Sequence, residues 1–281
     1  MCRHLAYLGP PATLRSVIVD PPHGLYRQAW APRYQGCGAI NADGFGVGWY
    51  PDGEAEPARY RQSMPIWADE SFPDIARLTS AGALLAAVRN GTPGTSGGAA
   101  AVAPFRHDRW LFSHNGAVDG WPASTAGLAA ALPAVSLLEL EARVDSALMW
   151  ALVLHRLRQG LRPAQALAGT AEALQAAGVT GRLNFLLTDG REIAATAAGH
   201  SLYYRRQAGA VTVASEPGDD EAGWIEVPRA ALVTATTEEV SVTPLPVLEA
   251  VITGSTAVHE TPEMPETPGT PETSDGRTAI R

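Results

Sequence analysis

The chain has 281 residues, enough for one large domain or two small ones, and its 46% hydrophobic and 18% charged residues are the balance of a globular protein with a sizeable core. A net charge of −8 argues against non-specific nucleic-acid binding, which needs a basic surface, but leaves room for a small anionic substrate. The opening MCRHLAYLGPP lacks the apolar stretch of a signal peptide, and no run approaches the ~18 apolar residues of a membrane span.

Only Cys2 and Cys37 are present, too few for a disulfide framework. The expectation is a reduced, cytoplasmic protein, with a Cys2–Cys37 disulfide as the alternative.

CRHLAYLG reads as a first strand and PATLRSVIVD as a helix. Residues 20–43, rich in Pro, Gly and Gln, read as a long structured loop. FGVGWY, ALLAAVR and RWLFSHNG are apolar runs with aromatic or β-branched members, the pattern of strands. Gly91 to Gly98 is a loop by composition. The texture turns helical around Leu128 and again from Glu141 to Arg158, where Val144, Leu148, Ala151, Leu152 and His155 recur at helical spacing. Pro163 to Ala177 is a further helix, opened by Pro and closed by Gly178.

After Gly181 come the short strands RLNFLLTD, EIAATA, SLYYRR, AVTVAS, AALVTA and EVSVTPL, with Asp189-Gly190 as a hairpin signal. Strands, then helices, then strands suit an α+β sandwich in which helices cover sheets. From residue 255 the chain is dominated by Pro, Thr and Glu and cannot bury enough surface to fold, so residues 2–254 are expected to form one domain and 255–281 a disordered tail.

Chemistry is suggested first at the N-terminus. Removal of Met1 would give Cys2 a thiol and a free α-amine. With a pKa of roughly 7.7–8.0, that amine is partly neutral at physiological pH and can take the thiol proton, directly or through one water. The thiolate is the competent nucleophile. A cysteine near a terminus is by itself an ordinary feature. Cys2 and His4 are too few for a tetrahedral zinc site, and the other histidines show no ligand spacing, so neither a metal nor an organic cofactor is expected. The glycines 44, 46 and 48 do not fit a dinucleotide-binding fingerprint.

Three segments accompany Cys2 in order: NADGFGVGWY, AAVRNGTPG and LFSHNGAVDG. With the MCRHL start, they resemble class II glutamine amidotransferase domains over essentially residues 2 to 250. The resemblance implies a four-layer αββα sandwich of the N-terminal nucleophile hydrolase type. It also implies Cys2 as nucleophile and an oxyanion hole from the Asn115 side chain and the Gly116 N–H. Such preorganised donors are usually a large catalytic contribution. Asn-Gly in SHNG would otherwise read as a turn.

By the same resemblance Arg89 and Thr92 bind the substrate α-carboxylate, which suits a guanidinium's parallel hydrogen bonds. Asp145 binds the α-amino group, and the neighbouring His114 belongs to the substrate-binding set. Their ordinary alternatives are a surface ion pair for Arg89 and a solvated helix-start carboxylate for Asp145. One departure stands out: Pro93 occupies a position where glutamine-dependent synthases often carry His.

No acceptor domain for ammonia is visible in the sequence. That leaves a hydrolase acting on a small γ-glutamyl substrate, a glutaminase lending ammonia to a separate subunit, or a non-catalytic binding module of the same fold. Nucleic-acid and membrane partners are not expected. The segments PIWADESF, AAVRNGTPG, APFRHDRWLFSHNGAVDG and ASEPGDDEAGW resemble stand-alone γ-glutamyl amidohydrolases of this class, and that resemblance implies the hydrolase.

Overall fold

The computed structural model describes residues 2–36, 40–91, 97–207 and 209–252. Along the chain, β1 (Arg3–Thr13) leads into the short helices α1 (Leu14–Ile18) and α2 (Leu25–Gln28). β2 (Phe45–Trp49), β3 (Ala58–Gln62), α3 (Phe72–Leu78) and β4 (Ser80–Val88) follow. The middle holds β5 (Phe105–His107), β6 (Trp110–Val118), α4 (Ala126–Ala130), α5 (Ala134–Leu138), α6 (Asp145–Arg158) and α7 (Pro163–Ala176). The last part runs through β7 (Gly181–Thr188), β8 (Ile193–Ala197), β9 (Tyr203–Gln207), β10 (Ala210–Ala214), β11 (Trp224–Glu226), β12 (Ala231–Ala235), β13 (Val240–Pro244) and α8 (Val247–Val251).

Two antiparallel sheets result, one in the order β11-β9-β10-β1-β4-β2-β3 and one in the order β13-β12-β8-β7-β6-β5. Three separate cores show how they stack. Ala6, Leu8 and Leu85 of the first sheet meet Leu111, Leu186 and Val233 of the second. On the outer face of the first sheet, Leu5, Phe45 and Leu84 pack against Leu14, Ile18, Leu25 and Phe72 of α1, α2 and α3. On the outer face of the second, Phe112 and Phe185 pack against Leu148, Leu152, Leu167 and Leu174 of α6 and α7. Successive strand side chains point to opposite faces, so neighbours such as Leu5 and Ala6, or Leu186 and Leu187, enter different cores. The layers are helix, sheet, sheet, helix: the four-layer αββα sandwich expected from the sequence.

The segment PATLRSVIVD departs from its expected helix. β1 runs on past Pro10 and Pro11, with a register shift between Leu8 and Ala12, before Ala12 and Thr13 pair with Ala81 and Ser80. Thr13 Oγ1 then accepts from Ser16 N and caps a helix of only five residues. Long-range pairing with β4 overrides the local helical tendency here. The loop read over 20–43 contains α2, and β3, α3 and β11 had no counterpart among the expected elements. Gly190 has φ 85°, as the Asp189-Gly190 turn between β7 and β8 requires, and Asp189 Oδ1 accepts from Arg191 N and Glu192 N. The tail from residue 255, Cys37 with its disulfide alternative, and Thr92 and Pro93 lie outside the described residues. No helix among the described residues is long and apolar enough to cross a membrane.

Candidate active site

The residue just before β1 and the middle of β6 belong to different sheets, and they meet where the sheets face each other. The half-buried Cys2 donates its backbone N–H to Asn115 Oδ1 at 3.2 Å, a contact between residues 113 positions apart. Asn115 is fully buried, and its Nδ2 donates to Ser215 Oγ at 3.2 Å. Ser215 follows β10 and is stitched to β1: its N donates to His4 O at 2.9 Å, and its Oγ accepts from His4 N at 3.0 Å.

Gly116 follows Asn115 on the opposite face of β6. A Cβ there would stand 1.7 Å from the Arg182 carbonyl oxygen on β7, so only glycine fits. The direction of its N–H follows from the strand. Val118 N turns away from β7 to donate to Asp145 Oδ2 at 3.0 Å, whereas Asp119 N donates to Thr180 O on the β7 side. N–H directions alternate along a strand. Gly116 N–H therefore leaves by the same edge as Val118 N, and β5 has already ended there with the pair Phe105↔Phe112. No described strand covers the edge at Gly116. Asp145 lies two residues further along that edge, roughly 7 Å by strand rise. This separation is comparable to that between the γ-carbonyl and α-amino ends of a γ-glutamyl group.

Asp145 is buried, with 6% of the residue exposed. It opens α6, where Oδ1 accepts from Ser146 N at 2.7 Å and Oδ2 holds Val118 N. It therefore fastens helix to sheet in addition to any role toward a ligand. A carboxylate has more lone pairs than these donors use, so it can still receive an ammonium group.

Arg89 directly follows the pair Arg3↔Val88 at the end of β4, which brings it to the same sheet end as Cys2. Its backbone is clasped by the NADG segment: Arg89 N donates to Gly44 O at 2.8 Å, and Asp43 N donates to Arg89 O at 2.9 Å. Asp43 Oδ2 also accepts from Gly91 N at 2.7 Å, fixing the entrance of the following loop.

His114 is placed elsewhere. It is 2% exposed on the α6 side of β6, with Nδ1 at 3.1 Å from Ser146 Oγ and Nε2 at 2.9 Å from Arg182 O. Both ring nitrogens are engaged within the protein, so His114, expected in the substrate-binding set, ties β6 to the start of α6 and to β7. Burial depresses its pKa, against the pull of Asp145.

Two further imidazoles lie near the site. Burial, with the His114 and Arg3 charges secondary, holds His4 down to about 3, and its Nδ1 is 3.1 Å from Ser113 Oγ. Burial and then the Arg3 and Arg182 charges hold His200 down to about 3. Both rings are neutral at physiological pH and add no positive charge beside the Cys2 amine. On the other face of β1, the buried Arg3 pairs with Glu216 at 2.7 Å and donates from Nη1 to the Cys2 carbonyl at 3.2 Å. Burial lowers the Arg3 pKa, and Glu216 opposes the shift.

The structure thus brings Cys2, Asn115, Gly116, Arg89 and Asp145 to one end of the sandwich. Ser215, Asp43 and the Arg3–Glu216 pair carried no sequence signal of their own. A serine or an acid at a strand end is commonplace, and only the sheet order gives these residues their neighbours. Among the described residues, no group of three His, Cys, Asp or Glu side chains is gathered as metal ligands would be.

Comparison with known proteins agrees with this architecture. Residues 25–220 match the family model for glutamine amidotransferases class-II. The chain is 39% identical over 245 residues, 87% of its length, to the whole of a Mycolicibacterium smegmatis protein named gamma-glutamyl-hercynylcysteine sulfoxide hydrolase. A Mycobacterium tuberculosis protein of the same name is 40% identical over 87% of this chain and 97% of its own. Among solved structures, a glutamine aminotransferase class-II domain protein from Silicibacter pomeroyi superposes with a TM-score of 0.63 at 24% identity, over 87% of this chain and 99% of that one. The Bacillus subtilis glutamine phosphoribosylpyrophosphate amidotransferase shares the fold with a TM-score of 0.60 at 16% identity, over 87% of this chain and 49% of that one. The chain belongs to the class II glutamine amidotransferases.

Proposed function

We propose that this chain is an amidohydrolase that cleaves the γ-glutamyl amide bond of γ-glutamyl-hercynylcysteine sulfoxide, releasing glutamate and hercynylcysteine sulfoxide as a step of ergothioneine biosynthesis. The observation that carries the chemistry is the contact between Cys2 N and Asn115 Oδ1, which puts the nucleophile's own amine beside an oxyanion donor. The similarity to the two mycobacterial hydrolases over nearly their whole length supports the substrate.

With Met1 removed, the Cys2 α-amine takes the thiol proton and the thiolate attacks the γ-carbonyl carbon. The carbonyl oxygen becomes an oxyanion held by Asn115 Nδ2 and Gly116 N–H. Collapse breaks the C–N bond, and the departing amine takes a proton from the Cys2 ammonium. Water then attacks the thioester through a second oxyanion in the same hole. Glutamate leaves and the thiol is restored. Arg89, with Thr92, holds the α-carboxylate and Asp145 the α-amino group. His114 positions β6. Residues 2–254 form the catalytic domain, and the reaction needs no metal or organic cofactor.

The hercynyl part is a trimethylammonium cation, which suits an aromatic face. Trp30, Trp67, Trp110 and Trp121 are the candidates. Arg27 already lies over Trp30 at 5.2 Å and Arg109 over Trp110 at 4.8 Å, which favours Trp67 and Trp121.

The glutamyl clamp is common to every γ-glutamyl amide, so selectivity must come from contacts to the leaving amine. Those contacts also orient the scissile bond. The test is kcat/KM for the sulfoxide against plain glutamine. The sulfoxide is expected to be the better substrate in both kcat and KM. Equal or better turnover of glutamine overturns this assignment in favour of a glutaminase.

A further inference from the structure

We infer that Ser215 is a positioning residue of the oxyanion hole: its hydroxyl holds the Asn115 carboxamide in the orientation that serves the Cys2 amine and the oxyanion together. The inference rests on the thioester reading above and adds a residue to it.

A carboxamide has an acceptor end and a donor end, and the two have similar shape. Turned one way, Asn115 Oδ1 faces the Cys2 nitrogen and accepts from it. The lone pair of the neutral amine is then left for the thiol proton. Turned the other way, Nδ2 would donate into that lone pair and disable the base. The structure holds the first arrangement from both ends. Cys2 N donates to Oδ1 at 3.2 Å, and Nδ2 donates to Ser215 Oγ at 3.2 Å. An amide nitrogen carries two N–H bonds. Ser215 takes one and fixes the amide plane, and the second remains for the developing oxyanion.

Ser215 is itself held rigidly. Its Oγ accepts from His4 N at 3.0 Å, its N donates to His4 O at 2.9 Å, and its O accepts from Ser201 Oγ at 2.8 Å. It has no solvent exposure. Its position is tied to β1 two residues from the nucleophile, while Asn115 comes from the other sheet. The hydroxyl therefore transmits the location of the Cys2 strand to the oxyanion donor.

The test uses the full chain with Met1 removed and thermal unfolding to verify each variant. Ser215→Ala should lower kcat about tenfold, the loss of one hydrogen bond in the transition state, with KM within about twofold of the parent. In an Asn115→Ala background the same substitution should cause no further loss, because its partner is gone. Alkylation of Cys2 by iodoacetamide passes through no oxyanion but draws on the same amine base, so it should slow in Ser215→Ala and lose nothing further in the Asn115→Ala background. Ser215→Cys, which preserves size and a weak acceptor, should fall between parent and Ser215→Ala and carries the test should Ser215→Ala not fold.

Unchanged kcat in Ser215→Ala overturns the inference. So does an additive loss in the Asn115→Ala background, which would place Ser215 in general packing, or alkylation at the parent rate, which would leave the amine base independent of the Asn115 orientation. If the parent protein turns over neither the sulfoxide nor glutamine, the amidohydrolase reading fails and this inference with it. Parent turnover with a fully active Ser215→Ala overturns the inference alone.

Discussion

Cys2 N and Asn115 Oδ1 are joined at 3.2 Å across the interface of the two sheets, so that the proposed nucleophile and its proposed oxyanion donor share one hydrogen bond. Neither strand could offer this pairing alone. Cys2 is brought by β1 of the seven-stranded sheet and Asn115 by β6 of the six-stranded one.

From that relationship, Cys2→Ala is expected to abolish turnover, while Asn115→Ala lowers kcat by about a hundredfold to a thousandfold with little change in KM. Intact mass should show loss of Met1, and a γ-glutamyl electrophile should label Cys2 in the parent protein. Normal turnover by Cys2→Ala would sink the mechanism. A change in KM alone for Asn115→Ala would assign it to ground-state binding.

The clamp residues should separate by their structural duties. Arg89→Ala should raise KM strongly and leave the unfolding temperature near that of the parent. Removing one partner of a desolvated charge contact costs about 2–5 kcal/mol of binding. Asp145 also holds Val118 N and Ser146 N, so Asp145→Ala should lose stability as well as activity. Asp145→Asn retains an acceptor but no charge, and should recover much of the stability without recovering KM. Recovery of both by Asn would show that the charge has no partner in the substrate.

Gly116→Ala is expected to damage the fold itself. The added methyl would collide with the Arg182 carbonyl, a backbone atom that moves only if β6 and β7 separate. Poor soluble yield or a clearly lower unfolding temperature is the outcome to look for. A stable, active Gly116→Ala protein would contradict the strand pairing described here.

Acid should destabilise the protein through its buried histidines. His4 and His200 are held down to about 3 in the folded state, against an ordinary 6.5. Between those values the unfolded chain binds more protons than the folded one. Their contribution to stability is therefore complete above about pH 6.5 and declines as pH falls toward 3. The limiting slope is about 1.4 kcal/mol per pH unit for each histidine. Thermal unfolding at pH 7.5, 6 and 5 checks this, and a flat profile over that range would be inconsistent with both rings being buried and neutral.

Much of this was readable from the residues in order. Apolar runs with aromatic or β-branched members marked most of the strands, helical spacing marked α6, an opening Pro and a closing Gly marked α7, and Cys2, Arg89, Asn115, Gly116 and Asp145 stood in recognisable motifs. These signals are local: strand composition, helical spacing and helix-end residues depend only on neighbours along the chain. The tertiary structure decided the remainder. It extended β1 through Pro10 and Pro11 because β4 was there to pair with it. It turned His114 toward α6 and Asn115 toward Cys2, since adjacent strand residues must face opposite layers. It left the edge of β6 open at Gly116 because β5 is short. And it set Ser215 beside Asn115, one hundred residues away in sequence, because sheet order, not chain order, determines which strand ends become neighbours.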